Sequence, residues 1–333
     1  EVRENFEWIN FHIVNYHEFF KNQANNHNLP IESLDAFNNQ NFFEEVKDKV
    51  FKYDTIVIDE IQDYTEPWIN LILNYFLYDK GEYVVFGDEK QNIYQRAYDR
   101  EEKKPYTRVG GQWNLLKRSY RITNDIARLA ETFQKWFFTS KYELDEIAIQ
   151  KSLFEKSELR YYRLTSFDKE LIIDLYKSIA SELNVHENDI CFQAASVEPL
   201  RELDFLIRSK SNQKTNTMFE TQEIYDKLKS DYGDSEKFKE EIDHIRRNKK
   251  FNYWDNRGFL KLSTIHSFKG WEIDTLFLII TSENEENSSE FTTEELIYTA
   301  ITRCRTNLIV LNINNEKYHD FFNDKIGETD RKS

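Results

Sequence analysis

Short apolar runs alternate along this chain with longer stretches in which apolar residues repeat at helical spacing. The short runs predict strands at 54–59, 82–87, 160–164, 189–194, 214–218, 260–265, 275–280 and 307–313. The longer stretches predict helices near 31–50, 66–78, 123–138, 168–183, 198–209, 220–230, 234–248, 293–303 and 315–324. Regular alternation of strands and helices is typical of an α/β protein with mainly parallel sheets.

Two features of the pattern indicate how these elements are organised. Some predicted strands are apolar throughout, as in LFLII at 276–280, which is typical of strands covered on both faces. The charged segment 99–112, which carries Pro105 and a Gly-Gly pair, predicts a linker between two lobes. We therefore expect a first lobe at 1–112 and a second lobe at 113–333.

Composition narrows the choice of partners and compartment. The chain has 45 basic and 60 acidic residues, a formal charge of −15, which argues against a broad basic surface for duplex DNA or an anionic membrane. No apolar run is long enough to span a bilayer. The two cysteines form neither a disulfide framework nor a zinc spacing, so a reducing cytoplasm is the expected location.

The locally basic tract 229–257 with its aromatic residues is either a solvated helix end or a nucleic-acid contact.

The stretch VIDEIQDY, residues 57–64, carries the first candidate chemistry. An apolar strand runs directly into Asp59 and Glu60, and Asp63 follows. One acid in such a place can hold a hydrated Mg²⁺, and the next can polarise a water molecule. The alternative is a strand end with solvated acids.

Two further stretches also combine polar or charged side chains with an aromatic ring. GDEKQNIYQRA, residues 87–97, follows a predicted strand, and its Gln91 can bond a phosphate or an attacking water. Tyr94 there suits base stacking or ordinary packing. In LLKRSYRITNDIARLA, residues 115–130, Arg121 suits a bidentate phosphate contact and Tyr120 can stack on a purine, with surface salt bridges as the alternative for the arginine.

Two stretches near the end of the chain complete the set. LKLSTIHSFKGWEIDTLFLII, residues 260–280, is a strand, a polar loop and a strand, and the loop suits close backbone approach to a phosphodiester. The loop holds His266, Ser267, Lys269, Gly270 and Glu272. In EELIYTAITRCRTNLIVLNI, residues 294–313, a helix ends at Arg303, which either reaches a γ-phosphate or is a cation favoured at a helix end.

Together and in this order, these stretches resemble the superfamily 1 helicases of the UvrD/Rep/PcrA type. VIDEIQD resembles motif II (Walker B), GDEKQNIY motif III, SYR motif IV, TIHSFKGWE motif V and YTAITRCRTNLIVL motif VI. The early stretch NFHIVNYHEFF, residues 10–20, resembles the strand and the contact histidine, His17, of motif Ib. HSFKGWE and KTNTMFETQE, residues 214–223, are most similar to bacterial UvrD-like helicases often joined to a nuclease-related (NERD) domain.

The resemblance implies two RecA-like lobes that bind ATP in the cleft between them and single-stranded DNA, or RNA, across their top. For hydrolysis it implies Mg²⁺ on Asp59, water activation by Glu60, γ-phosphate sensing by Gln91 and arginine fingers at Arg121 and Arg303. For nucleotide binding it implies adenine stacking by Tyr120 and contacts from Gly270 and Glu272. For DNA it implies contacts from His17, Tyr94, His266, Ser267 and Lys269. The implied activity is ATP-driven 3′→5′ translocation and unwinding, in repair or antiviral defence, with a nuclease domain or subunit as a further partner.

The sequence departs from the family at one decisive motif. No G-x-x-x-x-G-K-[ST] occurs in these 333 residues, so we expect a fragment that begins after the Walker A motif, with a first lobe that lacks its P-loop strand and helix. The second lobe is expected to carry only a small helical insertion near 220–250. One alternative is a hydrolysis-inactive, helicase-like subunit that binds DNA or a partner. Another is an NTPase that drives something other than nucleic acid.

Overall fold

The computed structural model describes most of the chain, in two compact units, Glu1–Asn114 and Leu115–Ser333. The described residues are 11–31, 33–88, 90, 107–108, 114, 118–119, 122–139, 148–149, 157–211, 213–254, 258–281 and 294–329. Among them, no helix combines the length and apolar character needed to cross a membrane.

The first unit packs short helical segments against a two-stranded sheet. Helix α1 spans Tyr16–Asn26, and two 3₁₀ turns follow at Leu34–Asn38 and Glu44–Val46. Strand β1 (Tyr53–Ile58) leads into a 3₁₀ turn at Ile61–Asp63, helix α2 (Glu66–Leu71), a π-helical turn at Ile72–Phe76 and strand β2 (Leu77–Val85). The core is rich in aromatic residues, among them Phe20, Phe37, Phe43, Trp68 and Phe76.

The two strands of the first unit are parallel, with Val57 beside Val84 and Ile58 beside Val85. One face of this pair, with Ile56, Ile58, Tyr83 and Val85, packs against the core. The other face leaves Val57, Val84 and the following Phe86 exposed. Parallel sheets are usually covered on both faces, so this apolar face is unusual.

The second unit contains most of the regular structure. Its elements are β3 (Arg118–Ser119), α3 (Asn124–Phe137), β4 (Ala148–Ile149), β5 (Glu158–Leu164), α4 (Lys169–Leu183), β6 (Ile190–Ala194), α5 (Glu198–Ser211), β7 (Thr215–Thr217), α6 (Gln222–Tyr232), α7 (Glu236–Phe251), β8 (Leu260–Thr264), α8 (Ile265–Phe268), β9 (Ile273–Thr281), α9 (Glu294–Arg303), β10 (Cys304–Ile313) and α10 (Glu316–Lys325). Short 3₁₀ turns precede β6 at Glu187–Asp189 and follow α7 at Asn252–Trp254.

Six of these strands form one parallel sheet in the order β5-β10-β9-β6-β8-β7. Helices α4 and α5 cover one face, where Ile172, Leu203, Phe192 and Phe277 belong to a continuous apolar core. Helices α3, α9 and α10 pack together, and an aromatic cluster around Phe133 and Phe321 joins α3 to α10. Burial on both faces explains why the central strands are apolar throughout.

Both edges of the six-stranded sheet are protected. At the β5 edge, the Thr329 N–H donates to the Tyr161 carbonyl at 2.8 Å, and the Tyr161 N–H donates to the Thr329 hydroxyl at 3.2 Å. At the β7 edge, Asn216 donates to the Tyr253 carbonyl at 3.3 Å, and the Lys249 ammonium donates to the Thr217 hydroxyl at 2.8 Å. Side chains and turns thus cover edges that would otherwise invite strand pairing with another chain.

The predicted fold class, α/β with mainly parallel sheets, is confirmed, and a strand lies at each of the predicted strand positions. Two local predictions are wrong. In its described part, residues 11–20, the motif Ib stretch does not form a strand, because Tyr16–Asn26 is a helix whose start is capped by the Asn15 side chain, 2.8 Å from the Glu18 N–H. The predicted helix at 31–50 is two 3₁₀ turns, because Ser33 and Asn39 side chains accept nearby backbone N–H groups and break the helical ladder.

Candidate functional site

The carboxyl ends of β1 and β2 lie side by side in the first unit. The Phe86 N–H donates to the Ile58 carbonyl at 2.8 Å, and the Ile61 N–H donates to the Phe86 carbonyl at 2.9 Å. These bonds hold the loop after β1 against the residues that follow β2. The acids predicted from the sequence therefore lie at the edge of a parallel pair where ligands bind in α/β proteins.

Glu60 adopts an uncommon backbone conformation at this edge. Its φ of 54° and ψ of 47° lie in the left-handed region, which a residue with a Cβ atom seldom occupies. Asp59 lies just before it, exposed, and its Oδ1 accepts the Glu60 N–H at 2.9 Å. The Asp59 carboxylate therefore bonds the backbone of the same turn that carries the Glu60 side chain.

Asp59 is the group that could hold a metal ion. In the described part of the chain, no three carboxylate, histidine or cysteine side chains converge as a metal site. Mg²⁺ needs no such cluster, because it is usually bound by one or two carboxylates together with waters and substrate phosphates. An exposed carboxylate at a strand end fits that requirement.

Gln62 connects the acidic loop to the residues after β2. Its side chain is buried, its Nε2 donates to the Glu60 carboxylate, and its Oε1 accepts the Asp88 N–H at 3.1 Å. Asp88 in turn accepts the backbone N–H of Lys90 at 3.0 Å. Gln62 is not among the residues predicted from the sequence, although its place between the acids Glu60 and Asp63 in VIDEIQD is a signal for such a role.

His17 lies in an aromatic cluster of the first unit. Its ring is 3.9 Å from the Tyr16 ring and 6.1 Å from Trp68, measured between centroids, and the side chain is half-buried. Tyr16 also packs against Tyr64, 5.0 Å away, and burial raises the pKa of the Tyr64 phenol well above its ordinary value. Tyr64 directly follows Asp63, so the structure links the His17 cluster to the same loop as the acids.

In the second unit the predicted residues fall at opposite ends of the sheet. His266 and Ser267 form part of α8 at the carboxyl end of β8, where the Thr264 hydroxyl accepts the Ser267 N–H at 3.3 Å. Glu272 and Arg303 instead precede Ile273 and Cys304, which pair at the amino ends of β9 and β10. Glu272 and Arg303 therefore both lie at this amino end of the sheet.

The distance between these two ends follows from the strand register. Thr264 and Ile279 both pair with Ala194, so they lie at the same level of the sheet. Glu272 lies seven positions before Ile279, which is about 23 Å at roughly 3.3 Å per strand residue. No single small ligand can therefore contact both groups within this unit.

The loop that joins the two ends contains Lys269 and Gly270. Lys269 is half-buried, and Gly270 is exposed with a φ of +88°, in the region that favours glycine. An added Cβ atom at Gly270 would meet no neighbouring atom, so backbone conformation and not crowding requires glycine.

The start of α3 is attached to the amino end of β10. The Thr123 N–H donates to the Arg305 carbonyl at 3.0 Å, and the Arg305 guanidinium pairs with Asp274 at 3.5 Å.

Four of the predicted site residues, Gln91, Tyr94, Tyr120 and Arg121, lie outside the described residues.

The basic tract 229–257 is partly used within the protein. Arg246 pairs with the buried Glu220, at 2.7 Å, and Lys249 bonds to Thr217. Burial lowers the pKa of Lys249. These two cations bond within the second unit, so they are less available to contact a nucleic acid.

Comparisons with known proteins add little to this geometry. No family model matches the chain, and no curated protein matches its sequence. One solved structure with a similar arrangement is the C-terminal domain of a possible DNA helicase from Lactobacillus plantarum WCFS1, with a TM-score of 0.35 and 12% sequence identity over 59% of this chain and 89% of that chain. A likeness at this level carries no argument about activity.

Proposed function

We propose that this chain belongs to an ATP-dependent enzyme that translocates along single-stranded DNA and unwinds duplexes in the 3′→5′ direction. The observation that carries the proposal is the carboxyl edge of β1 and β2. There, the exposed Asp59 accepts the N–H of a left-handed Glu60, and Gln62 bonds both the Glu60 carboxylate and the Asp88 N–H. Such an edge suits phosphate chemistry, because carboxylates there can hold a cation and orient a water molecule.

Asp59 and Glu60 have distinct parts in this proposal. Asp59 would hold the Mg²⁺ that accompanies ATP, and the ion would offset the charge of the phosphates. Glu60 would accept a hydrogen bond from the attacking water and take up its proton. Its left-handed backbone and its bond from Gln62 fix the carboxylate for that task.

The second unit would contribute to two separate tasks. Glu272 and Arg303, at the amino ends of β9 and β10, suit the nucleotide, and an arginine can stabilise charge that develops on a transferred phosphoryl group. His266, Ser267 and Lys269 belong to the loop that begins at the carboxyl end of β8, and they suit the DNA backbone. A separation of about 23 Å between the two sheet ends supports this division of roles.

Glu60→Gln in the protein with its full reading frame tests the proposal. The substitution keeps size and hydrogen bonding but removes the base, so nucleotide binding should persist while DNA-stimulated ATP hydrolysis falls at least a hundredfold. Glu66→Gln, an exposed acid at the start of α2, is the matched control and should leave turnover unchanged. Wild-type turnover in Glu60→Gln would remove Glu60 from the reaction.

A second candidate is a subunit that binds DNA or a partner without hydrolysing ATP. It is favoured by the absence of a G-x-x-x-x-G-K-[ST] motif in these 333 residues, since backbone amides and a lysine around the phosphates are otherwise needed. DNA binding without any ATPase activity in the full reading frame would support this candidate over the first.

A further inference from the structure

We propose that Gln62 is a positioning residue that fixes the Glu60 carboxylate and the Asp88 loop relative to each other. Its Nε2 donates to Glu60 and its Oε1 accepts the Asp88 N–H at 3.1 Å, so a single side chain connects the ends of two adjacent strands. The importance of Glu60 for turnover rests on the proposed function. The two hydrogen bonds of Gln62 are observed independently of that function.

Among side chains of this length and shape, glutamine supplies this pair of bonds and its nearest isosteres do not. The primary amide has a donor at one atom and an acceptor at the other, whereas glutamate lacks the donor and methionine lacks both. Gln62 is almost completely buried, so water cannot readily replace either bond. The side chain is therefore specified by chemistry as well as by size.

The absence of a side chain at Gly87 leaves room for the Gln62 side chain. A Cβ atom at Gly87 would lie 2.6 Å from the Gln62 Oε1 and 2.6 Å from the Ile61 Cγ2, distances that real Cβ atoms essentially never show. The residue before Asp88 must therefore lack a side chain if the Gln62 carbonyl is to reach the Asp88 N–H. Two stretches that are distant in sequence thus depend on each other at one contact.

The consequence is mechanical coupling between the two loops. Glu60 occupies a left-handed conformation that persists only where the surroundings hold it. Gln62 bonds both the Glu60 carboxylate and the Asp88 N–H. Displacement of the residues after β2 would therefore move the Glu60 carboxylate. In the proposed enzyme, this contact would transmit changes at one loop to the group that orients water.

The first arm of the test measures amide hydrogen exchange and needs no enzymatic activity. Gln62→Met should speed exchange of the Asp88 N–H about fivefold or more, since one hydrogen bond is lost. Gln62→Glu retains the acceptor and should keep that amide protected. The Ile61 and Phe86 amides, which bond to backbone carbonyls, should stay protected in both variants and verify that the strands remain folded.

Gln23→Met provides the matched control, because Gln23 is a similarly buried glutamine on α1 of the same unit. It should leave Asp88 exchange unchanged, while Gly87→Ala should accelerate it as Gln62→Met does. Wild-type Asp88 exchange in Gln62→Met, or equal acceleration in Gln23→Met, would overturn the proposal.

The second arm measures steady-state kinetics of the protein in its full reading frame. Gln62→Glu should lower kcat about tenfold or more while KM for ATP changes less than about twofold, because Glu60 is misplaced after binding. An unchanged kcat would also overturn the positioning role. If the wild-type protein hydrolyses no ATP, the proposed function fails while the exchange arm still decides whether Gln62 couples the loops.

Discussion

Replacing Glu220 should destabilise the second unit strongly. It is fully buried just after β7, and its Oε1 accepts bonds from Arg201 at 2.6 Å and from Arg246 at 3.0 Å. Its Oε2 accepts the Arg246 Nε–H at 2.7 Å. Arg201 comes from α5 and Arg246 from α7, so this carboxylate ties two helices to the end of the β7 edge strand.

The expected cost of Glu220→Gln follows from the exposure of its partners. Removing one member of a buried ion pair costs about 3–5 kcal/mol, because the remaining charge is left uncompensated. The Arg201 side chain is 6% exposed and cannot recover hydration, whereas Arg246 is 38% exposed and can. We therefore expect a loss near the lower limit, about 3 kcal/mol. For a unit of roughly 200 residues, this corresponds to a fall in Tm of about 6–12 °C.

Urea and thermal unfolding of the chain should be compared with a control in the same region. Glu223→Gln makes the same chemical change in a carboxylate that pairs with Arg208 at 2.9 Å but is 53% exposed. Exposed ion pairs contribute less than about 1 kcal/mol, so this variant should remain close to wild type. Equal unfolding free energies for Glu220→Gln and Glu223→Gln would refute the argument that burial decides the cost.

Two further predictions concern local stability. Amides of β1 and β2 should exchange faster than those of β9 and β10, because Val57 and Val84 leave one face of the two-stranded sheet exposed, and equal protection in both sheets would contradict this. Bonds from Arg208 lower the pKa of Glu223 from 4.5 to about 2, so its stabilising contribution is complete above about pH 4.5 and is lost as the pH falls towards 2. Because Glu223 is about half exposed, this contribution stays below about 1 kcal/mol, so urea midpoints measured between pH 5 and pH 2 should fall only slightly less steeply in Glu223→Gln than in the wild type.

The strand pattern was predictable because the signal is local. Runs such as LFLII at 276–280 are apolar at every position, as is typical of a strand in a parallel sheet that is covered on both faces. The extent of β2 was less predictable, since Leu77–Val85 includes Asp79, Lys80 and Gly81, which are poor strand formers. Tyr53 pairs with Leu77 and Thr55 with Glu82, so these three residues lie in an irregularity of the register between two paired positions. Long-range pairing on either side of them is not visible in a window of a few residues.

The candidate site was predictable in part, for the same reason. Asp59 and Glu60 stand out because acids directly follow an apolar strand, and the structure places both at a strand end. The roles of Gln62 and Gly87 depend on contact between residues 25 positions apart, which no local pattern records. Likewise, the separation of His266 from Glu272 depends on strand register across β6.

Asp59 and Glu220 show how the structure distinguishes a carboxylate available to a ligand from one committed to stability. Both lie within three residues of the carboxyl end of a parallel strand, so position alone does not separate them. Glu220 has both oxygens filled by two guanidinium groups and is excluded from water, which leaves no site for a cation or a phosphate-bound metal. Asp59 is exposed, and its hydrogen bond comes from the next residue's backbone N–H. A hydrated divalent ion prefers the second environment, because it keeps most of its waters and needs an accessible oxygen. By this criterion, Asp59 and not Glu220 is the carboxylate of these two that is accessible to a metal ion.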